Sequence, residues 1–133
     1  MIDLKALRED PQAFRSSQKV RGEDVDVIDK LLAADDARRE AISNFESLRA
    51  EQNTLSKSVG AAKGDEKNAL LENAEKLATA VKEADSKRAV AEEAANKLAL
   101  LIANLIDPAA PIGGEADFKV IETVGTPRDF KAE

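Results

Sequence analysis

The stretch Leu48-Arg49-Ala50-Glu51-Gln52-Asn53-Thr54-Leu55-Ser56-Lys57-Ser58-Val59-Gly60 closes one long helical pattern, and a second opens within a few residues of it. Two helices that follow each other so closely fold back as an antiparallel hairpin. In the second, Leu70, Ala74, Leu77, Val81, Ala84, Arg88, Ala91, Ala95, Leu98, Ile102 and Leu105 alternate steps of four and three residues without a break. That is a heptad seam, the pattern of a helix packed along its length on one partner. Each arm comes to roughly 35 to 42 residues, about 50 to 60 Å at the rise of an α-helix.

The first arm opens near Asp24, where acidic side chains suit the amino-terminal dipole, and its stripe runs Val27, Ile28, Leu31, Leu32, Ile42, Phe45, Leu48, Leu55 and Val59. The stripe drifts between Phe45 and Leu55. Gly60 and Gly64 are expected to bracket the turn, with Asp65 capping the returning helix and Pro108 ending it after Ile106. With the turn centred near Lys63, Ile42 faces Ala84, Phe45 faces Val81, Ile28 faces Leu98 and Asp35 faces Ala91, large against small. The same register sets Arg38 opposite Arg88, a like-charge layer with Asp35, Asp85 and Glu92 as the neighbours able to compensate it. Either both arginines snorkel to the surface, or the layer fixes register or presents a guanidinium to a phosphate.

Ahead of the hairpin, Leu4 to Glu9 and Pro11 to Ser17 read as two short helices, with Asp10-Pro11 as cap and first residue, and Gly22 breaks the pattern. Leu98, Leu100, Leu101, Ile102, Leu105 and Ile106 are apolar on more than one face and call for a second partner. Leu4, Leu7, Phe14 and Val20 would supply it. The expected fold class is therefore all-α: a long antiparallel two-helix coiled-coil hairpin with short amino-terminal helices packed at its base, over residues 1–107. Residues 108–133 read as a linker, Pro108 to Gly114, followed by a strand-like segment at Phe118, Val120 and Ile121. A strand needs a sheet, so the chain reads as the amino-terminal piece of something longer.

Composition removes whole classes of chemistry. With neither Cys nor His, disulfides, thiolate nucleophiles, Cys/His zinc sites and imidazole acid–base catalysis are excluded. The serines have no base to activate them, Gly113-Gly114 lacks the spacing of a phosphate loop, and the pairs Asp26/Asp29 and Asp35/Asp36 are exposed helix carboxylates at spacings that solvate rather than bind metal. No catalytic residue, metal or cofactor is therefore expected in this chain. No signal peptide or membrane span is legible, so a cytoplasmic location is expected.

The net charge of −6 counts against nucleic acid over long range, but binding depends on local clusters. Between Arg49 and Lys63 the charged residues are Arg49, Glu51, Lys57 and Lys63, a locally positive tip. The aromatics are Phe14, Phe45, Phe118 and Phe130, too sparse for a base-stacking platform. The candidate RNA contacts are Arg49, Asn53, Lys57 and Lys63 at the tip, then Arg39, Lys76 and Lys82 further down.

The opening Met1-Ile2-Asp3-Leu4-Lys5-Ala6-Leu7-Arg8-Glu9-Asp10-Pro11, the tip Asn53 to Gly60, and the segment Asn104-Leu105-Ile106-Asp107-Pro108-Ala109-Ala110-Pro111-Ile112-Gly113 together resemble bacterial seryl-tRNA synthetases, in order and at the right separations. Gly114 to Thr126 is less typical, and the catalytic domain is missing. The resemblance implies a parent that is an ATP- and magnesium-dependent class II serine–tRNA ligase, homodimeric through its catalytic domain. This hairpin would hold the long variable arm and elbow of serine tRNA, and alone would be an inactive monomer with no membrane partner. A coiled-coil protein-interaction module is the alternative, and would need a second exposed apolar stripe. The outward positions Glu72, Glu75, Lys76, Lys82, Glu83, Glu93 and Asn96 are polar. A chaperone-like hairpin would want an apolar tip, and Gln52, Asn53, Ser56, Lys57 and Ser58 do not offer one.

Overall fold

The computed structural model describes residues 2–126 and Arg128; Met1, residue 127 and residues 129–133, the end of the 108–133 segment, lie outside the described residues. The order is α1 (Leu4–Glu9), α2 (Pro11–Arg21), α3 (Asp26–Ala61), α4 (Gly64–Ala99) and one 3-10 turn, Glu115–Asp117. The two 36-residue helices α3 and α4 pack on each other along their length, and α1 and α2 pack on α3. The all-α hairpin with short helices at its base is the observed architecture.

Local chemistry explains the boundaries. Asp3 Oδ1 accepts from the Lys5 and Ala6 amides at 2.8 and 3.4 Å, and Asp10 Oδ1 accepts from Ala13 at 3.0 Å, satisfying first-turn donors with Pro11 already in place. Helix α2 runs one turn past Ser17. It ends where Gly22 adopts φ 71°, letting the Glu23 amide return to the Gln18 carbonyl at 2.9 Å.

The turn is tighter than expected. Only Ala62 and Lys63 separate the helices, both extended, and Gly64 then takes φ 62° to start the return. Gly60 consequently lies inside α3, and Asp65 is not the cap: it sits in the first turn of α4 with Glu66, where both carboxylates meet the helix dipole. Along α4 every seam position from Leu70 to Leu98 is buried or half-buried. In α3 the inward positions are Ile42, Phe45, Leu48, Gln52, Leu55 and Val59: two three-residue steps follow each other from Ile42 to Leu48, and the polar Gln52 fills the seam where the apolar stripe drifts.

The core lies at the base. Ile2, Leu7, Phe14, Val27, Ile28, Leu31, Ala95 and Ile102 form one cluster, with Leu4, Leu32 and Leu98 against it. Three expectations are corrected here. Helix α4 stops at Ala99 rather than at Ile106, because the backbone beyond it is captured by α2: Ala103 N donates to Gln18 Oε1 at 3.2 Å, Ile106 N donates to Ser17 Oγ at 3.0 Å, and Ser17 Oγ donates to the Asn104 carbonyl at 3.4 Å. Leaving the helix turns Ile102 into the core and Leu100, Leu101 and Leu105 out of it, at 82, 64 and 48% exposure. Val20 is likewise exposed at the surface of α2. Finally, there is no strand among the described residues: Phe118, Val120 and Ile121 are exposed, with no neighbouring strand to pair with.

Candidate nucleic-acid interface

Beyond the core, α3 and α4 continue as a free two-helix arm whose sides are polar. Glu72, Glu75, Lys76, Lys82, Glu83, Glu93 and Asn96 are all exposed, and the large exposed apolar residues of α3 and α4 are Leu71 and Val90, too far apart to make a second stripe. The tip candidates fall into two kinds. Asn53, Lys57 and Lys63 are exposed, and neither lysine forms an ion pair with a described residue. Arg49 donates to Gln52 Oε1 at 3.2 Å, and its Cζ lies 6.0 Å from the Phe45 ring centroid, so this guanidinium is oriented without being neutralised.

The candidates further down differ. Arg39 is held by Asp36 at 2.6 Å and by Asp35 at 3.9 Å, and Lys76 by Glu72 at 2.6 Å. The exposed pairs with Asp36 and Glu72 contribute only a few tenths of a kcal/mol, but neither Arg39 nor Lys76 is a free cation. Lys82 is exposed without such a pair. The short turn also brings Asp65, Glu66 and Lys67 up beside Lys63. The tip is therefore more mixed in charge than the run from Arg49 to Lys63 on its own.

The heptad pattern left unassigned a shallow cleft of about 560 Å³ between the helices near the tip, lined by Glu51, Thr54, Leu55 and Ser58 of α3 and Asn73, Lys76, Leu77 and Ala80 of α4. Thr54 and Ser58 donate to carbonyls four residues back, at 3.0 and 3.3 Å, which leaves their oxygens as acceptors on the helix surface. Their positions flanking the seam residues Leu55 and Leu77 were the available signal.

At the other end of the free arm lies the most buried charge of the described chain. Asp35, 1% exposed, receives Arg38 through Nε at 3.0 Å and a terminal nitrogen at 2.7 Å on one carboxylate oxygen, and Arg8 of α1 at 2.5 Å on the other. Burial pushes its pKa up. The hydrogen bonds and charges of Arg38 and Arg8 outweigh that and hold it below the usual carboxylate value. The sequence placed Asp35 in the seam beside Arg38 but gave no sign of Arg8, 27 residues earlier.

A family model described as the seryl-tRNA synthetase N-terminal domain matches residues 1–106. The chain is 52% identical over 133 residues to a serine–tRNA ligase of Streptomyces coelicolor, covering 31% of that protein, and 54% identical over 127 residues to one of Mycobacterium avium, covering 30%. It spans about a third of the length of these curated relatives. Among solved structures, it shares the fold of a seryl-tRNA synthetase from Pyrococcus horikoshii complexed with ATP, at a TM-score of 0.77 and 24% identity over 88% of this chain and 27% of that one. A helical hairpin with two capped helices at its root and a match over residues 1–106 make this chain a member of the seryl-tRNA synthetase N-terminal domain family.

Proposed function

We propose that this chain is the tRNA-binding arm of a serine–tRNA ligase, holding the long variable arm and elbow of serine tRNA by shape and backbone charge. The observation that carries this reading is the free arm itself. Past the base, two helices extend with no other described element beside them, and Asn53, Lys57 and Lys63 are exposed toward their far end. Double-helical RNA hides its base edges in a deep, narrow major groove, so a rigid rod with sparse cations suits recognition through phosphates and 2'-hydroxyls. Arg49, Asn53, Lys57 and Lys63 make the principal contacts, with Lys82, Lys76 and Arg39 following along the arm.

Serine activation and transfer belong to the rest of the ligase, which is homodimeric, while this chain by itself is a monomer. ATP and magnesium would serve the rest of the ligase; among the described residues no three acidic side chains converge as a magnesium site requires. Among the described residues no helix is long and apolar enough to cross a membrane.

The test is a salt-dependent binding titration against serine tRNA with and without its variable arm. The unmodified chain binds the complete tRNA more tightly. Replacing Arg49, Lys57 and Lys63 together by Gln weakens binding and lowers the slope of log affinity against log salt by something under one for each phosphate that is no longer neutralised. Lys5→Gln with Lys19→Gln leaves both unchanged. Equal binding of the two tRNAs, or an unchanged slope in the triple variant, overturns the reading.

A further inference from the structure

A lever is only as accurate as its root. Asp35 is the last buried residue of α3 on the way to the tip: Val27, Ile28, Leu31 and Asp35 are buried, and no later residue of that helix is. It therefore sits where the covered base becomes the free arm. Its carboxylate joins two elements there, Arg8 from α1 and Arg38 from α3 itself, while Arg15 of α2 pairs with Asp29 two turns closer to the base. We propose that the Arg8–Asp35–Arg38 cluster is the fulcrum of the arm, with Asp35 and Arg8 acting as positioning residues that set the direction in which the hairpin leaves the amino-terminal helices.

The apolar contacts around the root cannot do this by themselves. Hydrophobic burial is non-directional, and the leucine and isoleucine surfaces of α1 and α3 hold the helices together while tolerating small slides and tilts. Two nitrogens of Arg38, in the same helix, fix one carboxylate oxygen, and the other faces Arg8, with Arg39 at 3.9 Å; the bond from Arg8 is the one that crosses to α1, and tilting α1 against α3 lengthens it at once.

Geometry makes the root matter. From Asp35 to the end of α3 is about 40 Å at the rise of an α-helix, so a tilt of about 5° at the root moves the tip by about 3 Å. Misplacement of reacting groups by about 1 Å already costs on the order of 100-fold in rate where a bound group must be delivered to a reaction. The benefit of that stiffness for RNA rests on the function proposed above; the fulcrum itself does not.

The test uses the absence of cysteine from the chain. Gln12→Cys and Ser56→Cys, at exposed positions of α2 and of the arm near the tip, carry nitroxide labels whose separation is read by pulsed dipolar spectroscopy. In that background Asp35→Asn and Arg8→Gln broaden or shift the distance distribution relative to that of the unmodified pair. Helix content by circular dichroism stays the same. Arg8→Lys, which keeps the charge but loses the guanidinium, gives an intermediate width, and Ile28→Val, which removes one methyl group from the same core, leaves the distribution as it was. If Asp35→Asn fails to fold, Arg8→Gln decides, since that side chain is one-third exposed. Unchanged distributions in the charge variants, or equal broadening by Ile28→Val, overturn the fulcrum. Broadening in the charge variants while serine tRNA fails to bind the unmodified chain leaves the fulcrum standing and removes the proposed function.

Discussion

Arg38 and Arg88, brought to the same level of the hairpin by its register, turn their charges in opposite directions. Arg38 bonds Asp35 and Arg88 bonds Asp85, each three residues earlier in its own helix. Side chains of a helix lean toward its amino terminus, and in an antiparallel pair the two amino termini point to opposite ends. Arg38 therefore leans to the base and Arg88 to the tip, where its Cζ comes 5.0 Å from the Phe45 ring centroid. The like-charge layer is relieved by geometry as well as by compensation, and both side chains stay partly exposed, at 25 and 33%.

The two arginines are not equivalent in stability. Arg38 compensates a carboxylate that is 1% exposed, whereas Asp85 is half exposed and keeps its water. Arg38→Ala should lower stability in urea unfolding by about 1 to 3 kcal/mol, and Arg88→Ala by clearly less. Equal losses would show that the seam packing, rather than the buried carboxylate, dominates.

Asp35 links folding to pH. Its pKa is lowered in the folded chain, so the unfolded chain binds the proton more readily and stability rises with pH through that window. The contribution is complete above about pH 5 and is lost as pH falls through about 4 and below, the ordinary aspartate value being about 3.9. Asp35→Asn should cost on the order of 2 kcal/mol at pH 7, less than a fully buried pair because Arg8 and Arg38 retain access to water. Melting temperatures of the two proteins should converge as pH falls from 5 to 3. A constant gap would mean that Asp35 does not titrate with unfolding.

Exposure predicts opposite outcomes for two leucines. Leu31, fully buried, should cost about 2 to 5 kcal/mol when truncated to Ala. Leu101, 64% exposed, should change stability by no more than about 0.5 kcal/mol. Chemical denaturation of the two variants checks the end of α4 directly, because a helix continued to Ile106 would make Leu101 costly.

Ser17 holds the segment after α4 through one hydroxyl that both donates and accepts. Ser17→Ala should cost about 0.5 to 1.5 kcal/mol and speed hydrogen exchange at the Ile106 amide, leaving amides within α3 unaffected. Unchanged protection at Ile106 would show that the hydroxyl is not what keeps the segment on α2.

Opening should be easier toward the tip. The seam there consists of half-buried residues such as Gln52, Leu55, Leu70 and Ala74, while Ile28 and Leu31 at the base are completely covered. Amides near Leu55 and Leu70 should exchange faster than those near Leu31 and Leu98, and the reverse order would relocate the core.

The hairpin was legible in the sequence because helix periodicity is local. The heptad run from Leu70 to Leu98, the polar outward positions, the proline and aspartate at the start of α2 and the glycine after it each act within a turn or two of chain, and all are where the pattern put them. The tip candidates were legible as residue types near a turn, but not their state: that Lys57 forms no ion pair with a described residue while Arg39 and Lys76 are paired depends on rotamers. What only the tertiary structure decided involves partners far apart in the chain. Leu101 and Leu105 carry the same apolar pattern as Ile102, yet only Ile102 is buried, because Ser17 and Gln18, more than 80 residues away, offer hydrogen bonds that draw the backbone out of the helix at Ala99. Asp35 reads as an acid in the seam beside Arg38, and nothing local says that α1 folds back and sets Arg8 against it. Periodicity determines which face of a helix is apolar; whether that face is covered, and by what, depends on elements that the local pattern does not contain.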